Sequence, residues 1–473
     1  MDIAIINTWL MTFKGKGLGI VPNGAIGIED GKISFLGKSD DFNHKQADKI
    51  IDGENHITMP GLINAHTHTG LTLLRGGAQD LPEIEWMNKG LGPLARNLNK
   101  EDLILGSKLA VLEGLRSGTT TFAEYASFVS TLIHEVYIPF KVRVVGIETI
   151  NEVSSDRAQL KPTDLYQFDQ SKGEAALKRA NGVFQEFHDN DLVSSMYGPQ
   201  ALDFCSLELL KNIKQQAIDR DCKIHMHVAQ GGRERLQICG RFGKGSTTVS
   251  VLKKNGLLDA NLVAAHIHDT TPGERLLMVK NGVKMVGCPS SIAVIDGIIP
   301  PINHYIEIGG TVALGTDQGP GPGHYNMFQE MKMASILSKI QEKDPTALPP
   351  WKSLQLATRG GAEVLELGIG SLEVGKQADV ITVELTNLNL TPIVDNPFKN
   401  FVPNIVYSST GNEVDNVIVN GEIIMTDKQM VDIEEISIIK EANKRAKRVF
   451  EEASEDWIEA GSKMVLYHQN GFL

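Results

Sequence analysis

Apolar and polar positions alternate with a period of two through the first 58 residues. DIAIINTWLMTF, GAIGIEDGKISFLG and KIIDGENHITM each read as short half-buried strands, and EDGK carries a hairpin turn signal. From Pro60 to Gly370 the pattern changes. Strand-like apolar runs (GLINAHTH, TTTFAEY, KVRVVGIET, DLVSSMYGP, CKIHMHVAQ, NLVAAHIH, VKMVGCP, TVALGTDQG) alternate with amphipathic stretches such as EDLILGSKLAVLEGLRSG, LELLKNIKQQAIDRD, GERLLMVKNG and WKSLQLATRGGAEVLEL. About eight such repeats predict an α/β chain built around a (β/α)8 TIM-type barrel. Strand patterns return in GSLEVGKQADVITVEL, FVPNIVYSST and EVDNVIVNGEIIMTD. The two chain ends are thus expected to pair into one small β-sandwich domain. The expected division is residues 1–58 and 371–430 for that domain, 59–370 for the barrel and 431–473 for C-terminal helices. The last segment, DIEEISIIKEANKRAKRVFEEASEDWIEAG, reads as one or two helices with a solvated charged face.

Composition narrows the class of protein. The chain has 473 residues, 41% apolar and 22% charged, which is ordinary for a globular fold with a large core. A net charge of −12 argues against a nucleic-acid or anionic-membrane surface. No apolar run is long enough for a transmembrane helix, and the N-terminal apolar run breaks into Thr and Lys without a small-residue cleavage site. The four cysteines lie apart without CxxC spacing, against a disulfide framework or a Cys-rich zinc site. The expected setting is the cytoplasm.

Candidate chemistry sits where the apolar runs stop. His66 and His68 are i and i+2 on the first barrel strand, so both imidazoles face the same way. His225 and His227, His266 and His268, and Asp317 occupy matching places in later runs. In a barrel of this kind, catalytic residues lie at the C-terminal ends of the strands. Imidazoles converging there with a carboxylate suit Zn²⁺, with Fe²⁺ as the alternative, one ion per chain. Such an ion makes a bound water acidic near neutral pH. His44, His56, His134, His188 and His468 lack this context, whereas His304 and His324 fall near predicted strand-end loops and are candidates for the pocket lining. The Gly/Pro run DQGPGPGHYN lacks the lysine and frame of a phosphate loop and is expected to shape the rim.

The set PGLINAHTHTGLTLLRG, SGTTTFAEY, KIHMHVAQ, AAHIHD, ALGTDQG, NMFQEMKMAS, ATRGGAEVLELG and GSLEVGKQADVITV resembles the amidohydrolase superfamily. More narrowly it is similar to the branch of S-adenosylhomocysteine/methylthioadenosine deaminases, guanine deaminases and triazine hydrolases. The resemblance implies a mononuclear site with His66, His68, His227 and Asp317 as ligands. It implies His266 as the residue that acts on the attacking water together with Asp317. The strand DLVSSMYGPQ offers no lysine for the bridge of a binuclear site.

Three positions depart from the family pattern. Gln230 stands where a glutamate usually shuttles a proton to the ring nitrogen, and an amide cannot act as a general acid. Gln200, in GPQALDFCS, stands where a substrate-facing histidine is usual. CPSSIAV leaves Ser290 or Ser291 without the usual asparagine nearby. These changes argue against a methylthioadenosine or guanine substrate handled in the usual way. They suit a ring that needs no proton from that side chain. Glu83, Asp80 and Glu124 are candidates to deliver the proton instead, and Trp86 is the candidate aromatic wall for a planar ring. The expected activity is therefore that of a metal-dependent aminohydrolase releasing ammonia from a small cyclic amidine, a creatinine-type cyclic guanidine or an aminated N-heterocycle. The catalytic set is His266, Asp317 and Gln230, and the substrate contacts are Gln200, Trp86 and Gln230. The alternative is a hydrolase of the same fold that removes chloride or an alkylamine from a triazine, or opens a cyclic amide. A non-catalytic scaffold fits poorly with a complete ligand set. The expected partners are a small heterocyclic substrate and, by analogy, further copies of the chain in a dimer or larger homo-oligomer, with no nucleic acid or membrane.

Overall fold

A computed structural model describes residues 1–81, 85–154 and 164–473. The first strands are β1 (Ile3–Met11), β2 (Ile20–Glu29), β3 (Lys32–Lys38), β4 (Lys49–Asp52) and β5 (His56–Pro60). Asp30 and Gly31 join β2 to β3 with φ of 48° and 74°, the pair of positive values that a two-residue turn of type I′ demands.

The barrel begins one residue after β5. Gly61 makes the corner, where an added Cβ would lie 2.1 Å from the Thr120 hydroxyl oxygen. Its strands are β6 (Leu62–His68), β7 (Thr119–Ala126), β8 (Arg143–Ile150), β9 (Val193–Pro199), β10 (Ile224–Val228), β11 (Leu262–His266), β12 (Lys284–Gly287), β13 (Val312–Leu314) and β14 (Asp317–Gln318). All pair in parallel, in the order β13-β12-β11-β10-β9-β8-β7-β6-β14. β13 and β14 stand at opposite ends of that order, yet only Gly315 and Thr316 separate them in sequence. Two residues of chain cannot bridge an open sheet, so the sheet curls until its edges meet. The run read as one strand, TVALGTDQG, is thus two short ones around a break. Gly315 is required there, because a Cβ would sit 2.7 Å from the backbone N and O of His66.

After the barrel come β15 (Val380–Glu384), β16 (Val414–Val419), β17 (Glu422–Thr426) and β18 (Gln429–Met430). β15 pairs antiparallel with β5, from Val380 opposite Pro60 to Glu384 opposite His56, and so joins the two chain ends. The sandwich expected from those ends takes the form of one continuous nine-stranded sheet, whose core gathers Ile3, Ile5, Ile26, Ile28, Val380 and Ile418. Each such buried aliphatic side chain contributes about 1.5–3 kcal/mol. FVPNIVYSST, expected as a strand, is a helix over Phe401–Tyr407. Its buried residues Phe401, Ile405 and Val406 recur at helical spacing, and Pro403 lies in the first turn, where its missing N–H costs nothing.

The C-terminal chain forms helices Glu435–Glu452, Ser454–Glu459 and Lys463–Gln469. Its charged face is not wholly solvated. Arg445 and Arg448 both bind Asp102, which is fully buried at the start of helix Lys100–Arg116. Among the described residues no helix is long and apolar enough to cross a membrane.

Candidate metal centre and cavity

The strand ends after β6, β10, β11 and β13 bring four histidines and one aspartate together. His66 Nε2 and His68 Nε2 lie 3.8 Å and 3.4 Å from Asp317 Oδ1. His227 Nε2 lies 3.4 Å from His68 Nε2. Ligand-capable atoms of His66, His68 and Asp317 fall within 4.8 Å of one another, as do those of His66, His227 and His266. The backbone is forced to present them. His266, Ile267 and Asp317 have φ of 76°, 47° and 63°, and Ala229, two residues past His227, has 50°. A non-glycine residue in that region costs about 1–3 kcal/mol and persists only where its surroundings over-determine it.

The second nitrogens of the rings fix their orientation. His68 Nδ1 donates to the Tyr125 carbonyl at 2.6 Å and His227 Nδ1 to the Gln200 carbonyl at 2.8 Å. His66 Nδ1 shares a 3.0 Å hydrogen bond with His225 Nε2 below it. This leaves the Nε2 lone pairs of His68 and His227 pointing at the cluster, and His66 Nε2 is buried with no hydrogen-bond partner among the described residues. Outward-tied, inward-open imidazoles are what a metal site requires. Burial first, then the neighbouring imidazoles, push His66, His227 and His266 well below the ordinary histidine range. The rings are therefore neutral, with lone pairs available to a cation. Burial raises the Asp317 carboxyl, partly offset by His68 and by a 2.6 Å hydrogen bond from the Ser291 hydroxyl to Oδ2. The residues fit a divalent ion.

A cavity of about 800 Å³ opens over this cluster, toward the upper end of the ~300–1,000 Å³ common for small-molecule sites. His68, His227, His266 and Asp317 line its floor, and Gln200, Gln230 and Trp86 line its walls. The Gln200 side-chain oxygen accepts from Asn151 at 2.5 Å. Trp86 is buried against Leu91 and Leu94, and its indole N–H has no hydrogen-bond partner among the described residues. Leu71, Leu103, Ile104 and Leu132, from the segments after β6 and β7, make one side apolar.

The proton-donor candidates separate. Asp80 is exposed and does not line the cavity. Glu124 reaches the lining, but its carboxylate accepts from the Thr69 N–H and hydroxyl and from the Tyr137 hydroxyl. Burial pushes it up to about 7, against those hydrogen bonds. Glu83 lies outside the described residues. His304 accepts from Arg275 and His324 faces Glu330, and neither lines the cavity. The sequence reading passed over Ser291 as a partner of Asp317. His268, set beside His266 among the strand-end candidates, is a buried ring that burial pulls down to about 4, and it stands outside the groups whose ligand-capable atoms converge.

The family model described as "Amidohydrolase family" matches residues 57–424. The 5'-deoxyadenosine deaminase of Methanosarcina mazei is 34% identical over 450 residues, covering 95% of this chain and 98% of its own. The adenosine deaminase of Xanthomonas campestris, solved with bound zinc, superposes with a TM-score of 0.86 at 26% identity, over 95% of this chain and 98% of that one. The zinc complex of atrazine chlorohydrolase from Arthrobacter aurescens TC1 shares the fold, with a TM-score of 0.82 at 20% identity over 94% of this chain and 100% of that one.

Proposed function

The chain belongs to the amidohydrolase family, and from that premise we propose that it is a metal-dependent aminohydrolase releasing ammonia from an aminated nitrogen heterocycle. The observation that carries this is the convergence of outward-tied histidines and a buried carboxylate at the floor of a roomy cavity. We assign His66, His68, His227 and Asp317 as the ligands and Zn²⁺ as the ion, with Fe²⁺ second. When bound, the ion supplies a Lewis acid that brings the acidity of water near neutrality.

The chain's own residues carry the rest. Asp317 takes the proton from the attacking water, with its second oxygen held by Ser291, and returns it to the departing amine, which leaves as ammonia. His266, at the same floor, polarises that water. Gln230 and Gln200 give the ring hydrogen bonds without a formal charge. A bare cyclic guanidine would leave much of 800 Å³ unfilled, so the ring is of aminopurine size or carries a substituent against the apolar wall. This agrees with the nucleoside named for the Methanosarcina relative.

A second reading has Gln230 in its favour. Its amide cannot protonate a departing amine, so a leaving group that needs no proton, such as chloride, suits the same floor. Ammonia release by metal-loaded protein tests both readings. The panel covers aminopurines and their 5'-deoxynucleosides, aminopyrimidines, aminotriazines and creatinine, with mass spectrometry of each product. Ammonia from one ring is expected. A dechlorinated or ring-opened product without ammonia would refute the first reading in favour of the second.

A further inference from the structure

Phe128 stands two residues past the end of β7. It lines the cavity yet is 60% exposed, which places it at the mouth. Its φ of 59° is a left-handed value that suits glycine and is rare for a bulky residue. Neither the backbone nor burial in the core therefore accounts for a phenylalanine at this point.

The surroundings hold the ring in place all the same. Glu148, on β8 beside the end of β7, is 1% exposed. It accepts from the Val129 N–H at 2.9 Å and from Arg179 Nε at 2.7 Å. The Arg179 guanidinium in turn lies over the Phe128 ring, 4.6 Å from its centroid, at cation–π distance. One buried carboxylate thus fixes both the backbone of the turn and the cation behind the ring. The guanidinium takes one face of the ring and leaves the other open. Its charge is met by Glu148, so what the site offers there is an apolar aromatic surface.

Position says what meets that surface. The reacting carbon belongs at the floor, beside His266 and Asp317, and Trp86, only 2% exposed, forms the deep wall. A residue at the mouth meets whatever the ring carries away from its reacting carbon. Leu132, at the end of the short helix Val129–Leu132, continues from Phe128 into the apolar wall.

We propose that Phe128, held by Arg179 and Glu148, is the platform against which the apolar side of the heterocycle's substituent packs. This rests on the aminohydrolase reading above. It adds a specificity residue that neither holds the ion nor handles the attacking water.

The test separates affinity from stability. The probes are purine and its 5'-deoxyriboside, which carry no amino group to release. Dissociation constants are measured by calorimetry on metal-loaded wild type, Phe128→Gly and Phe128→Tyr, with metal content and melting checked for each. Glycine relieves the left-handed backbone, so Phe128→Gly should melt close to wild type and keep its metal. It should bind the riboside about tenfold more weakly, the worth of one aromatic face, and purine at most about twofold more weakly. Phe128→Tyr, which keeps the ring, should match wild type on both probes. Equal losses on the two probes, or no loss, would overturn the assignment while leaving the function standing. So would a change in the number of chains per particle by light scattering in Phe128→Gly, which would make the ring a contact between chains. Binding of neither probe by wild type would instead overturn the purine-sized reading of the site, and the assignment with it.

Discussion

Replacing Tyr325 by Phe removes one oxygen atom, and the structure makes that atom a clamp on the metal centre. Tyr325 is fully buried. Its hydroxyl accepts from the Gly319 N–H at 2.8 Å and donates to the His68 carbonyl at 3.1 Å, with the Thr72 hydroxyl 3.0 Å away. It thus ties the strand end carrying His68 to the turn that follows Asp317. Phe fills the same space, so no cavity opens. The Gly319 N–H and the His68 carbonyl lose their partner, whereas Thr72 keeps the Thr69 carbonyl at 2.5 Å. Two lost bonds at ~1 kcal/mol each, plus the penalty for buried orphans, predict about 2–4 kcal/mol of destabilisation. With His68 as the ligand proposed above, loosening the group behind it should cost about 10–100-fold in metal affinity. Equilibrium denaturation reads the first effect and chelator competition the second. Tyr407→Phe is the control. It removes a 2.9 Å hydrogen bond to Ser335 elsewhere in the fold, and should cost about 1 kcal/mol without changing metal affinity. A Tyr325→Phe protein within ~0.5 kcal/mol of wild type, well under the worth of two bonds, and with unchanged metal affinity would refute the clamp.

Other expectations follow from neighbouring features. His227→Ala should hold well under one metal per chain by elemental analysis, and full retention would refute its assignment as a ligand. Gln230→Glu should raise ammonia release from ordinary aminopurine or aminopyrimidine substrates at intact metal content, and no gain would count against Gln230 as the residue that tunes the substrate. Asp379→Asn should cost about 3–5 kcal/mol, because it strands a buried guanidinium. Arg143 donates to Asp379 at 2.7 Å and 3.0 Å, across the seam between barrel and terminal sheet. Urea unfolding would show a change under ~1 kcal/mol if the seam were solvated like a surface pair. Burial would lower the His56 pKa, but Asp415 at 3.4 Å and the Glu54 carbonyl override it and leave it raised. Its contribution is therefore fully present below the unfolded value of ~6.5 and is lost as pH rises through the folded one. The stability gap between wild type and His56→Gln should be wider at pH 6 than at pH 9, and a constant gap would refute the linkage.

The barrel strands were legible because each is an apolar run that stops at a polar or glycine-bearing end, and the histidines proposed as ligands sit at those stops. Asp317 could be placed on the same argument. Contacts between distant segments left no local mark. Tyr325 lies 257 residues from His68, and the hydrogen bond from Ser291 to Asp317 depends on how helix Pro289–Ile295 packs. Phe401–Tyr407 misled because its apolar content is equally good for a strand. Only the helical spacing of Phe401 and Ile405, which a seven-residue window barely contains, separates the two.

The C-terminal helices show the same limit with a consequence for function. Their charges read as a solvated face, yet Val449, Ala453 and Trp457 pack in one cluster with Trp86, Leu91 and Ile295, the last three of which line the cavity. Asp102 draws Arg445 and Arg448 onto the first turn of helix Lys100–Arg116, and Leu103 and Ile104 of that helix form the apolar wall. The cavity wall is thus backed by chain more than 300 residues away in sequence. Two arginines on one buried carboxylate are partners whose loss strands a charge, unlike an exposed pair. Asp102→Asn should therefore loosen the C-terminal helix and enlarge the cavity on its apolar side. It should weaken binding of substituted rings more than of bare ones, while leaving metal content alone. A substituent-independent loss would mean that the helix supports the fold as a whole and not that wall.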